Sequence, residues 1–336
     1  MSENKLRKLN NRAASWILTG FVIFSPTFLF GQQEPQFSQH MFNKLSYNAA
    51  HAGSNGATCV TGFYRSQWLG MQLSDISGET PSTPTTFNVA IDMPVRFLHG
   101  GIGALVMSDQ IGFRKHTTIK LAYAYRLQFP TGNLSFGLET EFLNSSIDFS
   151  RWYGSDQIDE NDQVNTSSQD PVLAGRDDAS AFLFDLGFGV YYQIPGKMYV
   201  GLSTTKLLQT SSDNIFWQNK RHVYLMAGYD WTVPAYPDWR LLPSMLLKTE
   251  LSSSQLDMAL LTEYDHRFWG GLSYRLQHSV SVMGGLSWGN MKLGLSYDIN
   301  ISTLPNVGSI ELFLRYCFKI VRPPKPPTIN NNTRYM

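Results

Sequence analysis

Near its carboxyl end the chain sorts its side chains by parity. From Met291 to Ile301 the odd positions read Met, Leu, Leu, Tyr, Ile and Ile, and the even ones Lys, Gly, Ser, Asp and Asn. Next, Ile310, Leu312, Leu314, Tyr316 and Phe318 alternate with Glu311, Phe313, Arg315 and Cys317. Side chains point to opposite faces along a strand, so such a segment has one apolar face and one polar or small face. Strands of soluble sandwiches usually run to about five or six residues. Runs of about ten alternating residues, one after another and joined by tight turns, mark a transmembrane β-barrel.

The pattern recurs upstream. About fourteen strands are expected, at 58–67, 84–94, 100–108, 115–129, 132–147, 180–194, 197–205, 220–233, 238–250, 255–265, 267–276, 279–288, 290–301 and 308–319. The number is even, as bacterial barrels require. In the fourth, Ile119, Leu121, Tyr123, Tyr125, Leu127 and Phe129 oppose Lys120, Ala122, Ala124, Arg126 and Gln128. Two strands read less cleanly: 238–250 contains Pro243, and 267–276 is apolar on both faces.

Charge placement supports the assignment. Asp92, Lys120, Arg126, Glu139, Glu141, Asp185, Asp230, Asp257, Glu263, Arg275, Lys292, Asp298, Glu311 and Arg315 all share the less apolar parity. A Lys or Arg facing lipid at mid-depth costs roughly 2–4 kcal/mol. The mixed signs predict paired ladders across the lumen rather than an ion-selective ring. Composition agrees: aromatic residues reach 13%, and charged residues are 16%, against about 25% in globular chains.

Residues 1–31 read as a signal peptide, with Lys5, Arg7, Lys8 and Arg12 ahead of an apolar run to Phe30; a membrane anchor is the alternative. Its removal leaves 23 basic and 25 acidic residues, so no basic face is expected for nucleic acid. No other apolar run approaches the roughly twenty residues of a spanning helix. A spanning structure must then be a closed sheet, which satisfies its backbone internally. With the amino end in the periplasm, the long connections 68–83, 148–179 and 206–219 fall outside, and tight turns such as Pro195-Gly196 fall inside, as such barrels show. Both termini are then expected to be periplasmic, the barrel spanning 58–320.

Residues 32–57 do not alternate. Phe37, Met41, Phe42 and Leu45 fall near helical spacing, and the segment is expected at the periplasmic mouth or in the lumen as a plug; a mobile arm is the alternative. Residues 321–336 are rich in Pro, which cannot donate to a ladder. They are read as a periplasmic extension, either a docking segment for a periplasmic partner or a disordered end.

The search for chemistry yields little. The seven histidines are scattered without metal-ligand spacing. No Ser/His/acid set stands out, no phosphate-binding glycine loop occurs, and no catalysis or cofactor is expected. The acidic run Asp156, Asp159, Glu160 and Asp162 lacks the closing bidentate acid of a calcium loop. The only two cysteines, Cys59 and Cys317, lie at the start of the first strand and near the end of the last. Those strands are neighbours in a closed barrel, so a disulfide across the seam is geometrically reasonable in an oxidising compartment. Two free thiols at different heights are the alternative.

The run Pro35-Gln36-Phe37-Ser38-Gln39-His40-Met41-Phe42-Asn43, then Asn48 and Ala52-Gly53, closely resembles the opening of the PorP/SprF family of outer-membrane barrels associated with type IX secretion. The likeness continues through Tyr64-Arg65, Gln67-Trp68, Pro84-Thr85-Thr86-Phe87, Asp109-Gln110-Ile111-Gly112, Leu272-Ser273-Tyr274-Arg275 and Leu314-Arg315-Tyr316. Lys44, Ala49 and His51 depart from the family pattern, as does the Pro-rich tail. The resemblance implies delivery or retention of a type IX-secreted surface protein, such as an adhesin of gliding motility that carries a C-terminal sorting domain. It also implies contact with the secretion machinery and residence among outer-membrane lipid. A substrate-specific channel or porin is the alternative, and would need an open lumen. For partner binding, Trp68, Trp152 and Tyr153 on the outer loops are candidates, since aromatic loop residues make good interface anchors; membership of the outer aromatic girdle is the competing reading. Phe37, Met41, Phe42 and Asn43 are the core of the plug motif.

Overall fold

The computed structural model describes residues 34–69, 83–112, 114–147, 179–213, 217–250, 253–301 and 308–319. Alternation along the sequence becomes a closed antiparallel barrel of fourteen strands. They are β1 (Thr58–Leu69), β2 (Thr85–Val95), β3 (Gly100–Ile111), β4 (Arg114–Phe129), β5 (Gly132–Ile147), β6 (Ala179–Ile194), β7 (Met198–Thr205) and β8 (His222–Tyr229, continued by Trp231–Val233). β9 (Tyr236–Thr249), β10 (Ser254–Tyr264), β11 (Phe268–Arg275), β12 (Ser279–Trp288), β13 (Met291–Asn300) and β14 (Gly308–Phe318) complete it. Each strand pairs with its sequence neighbours, and β1 pairs with β14 from Thr58↔Phe318 to Leu69↔Gly308. No sheet edge is left, which is what hydrocarbon demands of a spanning sheet.

The two faces divide as the parity predicts. Leu293, Leu295, Tyr297 and Ile299 on β13, and Leu312, Leu314 and Tyr316 on β14, are exposed outward, as are Phe87, Leu121, Leu138 and Phe182. Asp92, Lys120, Glu139, Glu141, Asp185, Asp257, Glu263, Asp298 and Glu311 are buried inside. Pro243 lies within β9, where the β8–β9 ladder is interrupted between Gly228↔Ser244 and Trp231↔Leu241. A residue without an N–H is tolerated where the ladder already breaks. Among the described residues no helix is long and apolar enough to cross a membrane.

The segment from Glu34 to Ala57 runs inside the barrel. Phe37, Gln39, Asn48, Ala50 and Ala52 are almost wholly buried. Near-helical spacing of Phe37, Met41, Phe42 and Leu45 corresponds to single turns only, at His40–Phe42, Lys44–Tyr47 and Ala49–His51. The reason is competition for backbone donors. Ser38 and Gln39 give their N–H groups to a wall carboxylate, and Asn48 adopts an extended conformation between two turns. The described chain begins with Glu34 in the half of the lumen nearest the long connections, ion-paired to Lys206 at the end of β7. It reaches Ser54 and Ala57 at the opposite, short-turn rim, where β1 starts and β14 ends. Both chain ends, residues 1–33 and 320–336, lie outside the described residues.

Candidate functional site

Registered strands carry the inward charges to fixed heights, and the inner segment meets them there. Arg65 on β1 stands opposite Glu311 on β14. Its guanidinium donates to Glu311 Oε2 at 3.0 Å, to Asp298 Oδ2 at 2.6 Å and to Ser38 Oγ at 2.9 Å. Glu311 accepts in turn from the N–H groups of Ser38 and Gln39, at 2.8 and 2.9 Å, and Ser38 Oγ donates to Asp298 at 2.6 Å. One wall cation and two wall carboxylates therefore hold the turn that opens the inner segment. A carboxylate between two backbone N–H groups makes charge-assisted bonds, roughly twice as strong as neutral ones.

Below this cluster aromatic rings take over. Phe37 packs on Phe63 with ring centres 5.3 Å apart. Phe42 stacks on Phe313 at 4.6 Å and 9°, and meets the edge of Trp269 at 5.0 Å. The amides of Asn43 and Asn88 join Ser46 in a closed set, with Asn88 Nδ2 donating to Asn43 Oδ1 at 3.1 Å and to Ser46 Oγ at 3.0 Å. Toward the turn rim Asn48 Nδ2 donates to Val190 O at 3.0 Å, and Ser203 Oγ to Tyr47 O at 2.6 Å. Arg126 forks onto the carbonyls of Ala52 and Gly53, at 2.9 Å each, while Gly53 N–H donates to Asp92. The wall approaches so closely that a Cβ on Gly137 would lie 2.1 Å from Ala50 N, and one on Gly101 would lie 2.3 Å from Ala52 O. Only glycine fits there.

The far end is covered as well. Asp185 accepts from the N–H of Leu208 at 2.8 Å and from Asn219 Nδ2 at 3.3 Å, folding the chain after β7 over the mouth. Trp217 from that connection rests on His116 at 4.5 Å and under Arg114 at 4.8 Å. Between Trp217 and Glu34 only about 20 Å3 remains, roughly room for one water.

Charge pairing differs from the expected ladders across the lumen. Lys120 meets Glu139 and Glu141 on the next strand, Lys248 and Arg275 share Asp257, and Lys292 meets Glu263. The first two sets join neighbouring strands, whereas Lys292 on β13 reaches past two strands to Glu263 on β10. Cys59 and Cys317 face each other in the β1–β14 register and form a disulfide, Cα to Cα 4.1 Å. Trp68 lies at the end of β1, half-buried, at a register slip, with its N–H 3.3 Å from Ser309 Oγ. Trp152, Tyr153 and the acidic run 156–162 lie outside the described residues. The triad of Arg65, Asp298 and Glu311 was not singled out from sequence. Parity turned Asp298 and Glu311 inward, and Arg65 shares the parity of Cys59 on the same strand; the polar pair Ser38-Gln39 is the one local signal that could have pointed to them.

No curated protein matches the chain by sequence. Among solved structures, the outer membrane protein Omp33 of Acinetobacter baumannii is 8% identical over 78% of this chain and 98% of its own, with a TM-score of 0.44. The toluene transporter TodX of P. putida is 9% identical over 83% and 94%, with a TM-score of 0.48. The family model described as type IX secretion system membrane protein PorP/SprF matches residues 29–316. The chain belongs to the PorP/SprF family of type IX secretion system membrane proteins, and is an outer-membrane β-barrel of that system.

Proposed function

We propose that this barrel binds a type IX-secreted surface protein, adhesin-like and carrying a C-terminal sorting domain, and helps deliver or retain it at the cell surface. The observation that carries the reading is the occupied lumen: the chain's own residues run through it from Glu34 to Ser54 and are bonded to the wall along that length. Such a barrel suits a partner held at its rims better than a solute passed through. Trp68 at the long-connection rim, with Trp152 and Tyr153 on the next long connection, supplies aromatic anchors of the kind that dominate interfaces. The proposed role is binding, without catalysis. Possession of a signal peptide and contact of residues 321–336 with a periplasmic partner belong to the same reading.

The test is crosslinking in intact cells followed by purification of the tagged barrel. A secreted protein with a C-terminal sorting domain, crosslinked in the wild type and lost in Trp68→Ala or Trp152→Ala, is expected. Recovery of the barrel with no such protein at any crosslinker length would refute the reading.

A further inference from the structure

At the short-turn rim the inner segment does not fill the barrel. A cavity of about 390 Å3 opens there, between Lys44 on the segment and the ends of β6 to β9 and β14. It lies within the 300–1,000 Å3 range of small-molecule sites. Its walls are aromatic, from Phe42, Tyr191 and Tyr199, and the cations Lys44 and Arg315 border it. Lys44 Nζ lies 3.5 Å from the centre of the Tyr199 ring. Arg315 borders the same space, donating to Thr61 Oγ1 at 3.2 Å and to the carbonyl of Phe42.

Of the cations bordering the cavity, Lys197 is exposed at the turn, whereas Lys44 and Arg315 are not. Arg65, Lys120, Lys206, Arg240, Lys248, Arg275 and Lys292 each have a carboxylate within ion-pair distance. Lys44 and Arg315 have none among the described residues. Asp230, which also lines the cavity, is held by Arg240. Asp92 on β2 accepts from Gly53 N–H and has no cation within ion-pair distance among the described residues. A third polar group, Ser244 Oγ, lines the cavity, is buried and has no partner. Buried polar groups left unmatched are costly, and a group left so in a roomy cavity points to a missing acceptor or donor.

We propose that this cavity is a binding site for a small organic anion, a carboxylate carried on an aromatic or short aliphatic body, entering from the short-turn side. The carboxylate lies between Lys44 and Arg315, and the apolar body lies against Phe42, Tyr191 and Tyr199. Lys44 belongs to the inner segment and Arg315 to the strand that closes the seam, so the ligand ties one to the other. The site is independent of the docking role proposed above, and neither fails with the other.

The test uses the full-length protein in nanodiscs of zwitterionic phospholipid, titrated calorimetrically with phenylpropionate, with octanoate, with phenylpropionamide and with inorganic phosphate. Saturable binding of at least one acid, at least tenfold tighter than phenylpropionamide and phosphate, is expected. Lys44→Met should weaken it at least tenfold and Lys44→Arg should restore it. Ser244→Phe, which fills the cavity from the wall, should abolish it. Binding should also slow hydrogen exchange across residues 41–47. No saturable binding of either acid up to millimolar concentration overturns the proposal. So does equal binding of acid and amide, or undiminished binding in both Lys44→Met and Ser244→Phe. If Lys44→Met does not fold, Ser244→Phe and the acid–amide ratio decide.

Discussion

Replacing Arg65 by Met removes one charge from a place where three meet. Arg65 and Asp298 are each about 4% exposed at the side chain, and Glu311 is fully buried. The change deletes three bonds from the guanidinium; the two to carboxylates, of 2.6 and 3.0 Å, are worth about 1.5–3 kcal/mol each, and the third goes to Ser38 Oγ. It also leaves two buried carboxylates facing each other without a cation. One-sided removal of a buried pair costs about 3–5 kcal/mol, and the two routes agree on roughly 4. The loss falls on the turn that Glu311 holds, so the amides of Ser38 and Gln39 report it. Hydrogen exchange at those amides should accelerate by about two to three orders of magnitude, since each 1.4 kcal/mol is tenfold. Adding Asp298→Asn and Glu311→Gln to Arg65→Met should recover much of the protection, because the stranded charge is gone. Unchanged exchange at Ser38 and Gln39 in the single variant would refute the claim that this triad anchors the inner segment.

Other outcomes follow from the same geometry. Cys59→Ser with Cys317→Ser opens a loop of sequence separation 258, and should lower stability by about 2–5 kcal/mol, read from urea unfolding in detergent. Gly137→Val places carbon against Ala50 N and should displace the inner segment, seen as protease cleavage between residues 40 and 55 with the barrel intact. Leu295→Arg, on the half-exposed outer face of β13, should cost about 2–4 kcal/mol of stability in bilayers.

The barrel was legible because lipid and lumen act on every second residue. About fourteen strands, the faces of most of them and the in/out sense of Glu311 or Lys120 follow from parity alone. Pro243 blurred β9 because its tolerance depends on a break in the neighbouring strand, which parity does not report. The inner segment was harder. Phe37, Met41 and Phe42 carry a helix-like spacing, yet between them the N–H groups of Ser38 and Gln39 bond to Glu311, more than 270 residues away in sequence. The cavity beside Lys44 was invisible for the same reason: its emptiness is a property of how β6 to β9 pass the segment, and no local pattern encodes it.

The most direct measurement is the current through single full-length molecules in a planar bilayer. A lumen filled from Glu34 to Ser54 and covered at Trp217 passes no steady current, and Gly137→Val should introduce conducting events. A steady, ohmic conductance in the unmodified protein without any partner would contradict the filled lumen and favour a channel.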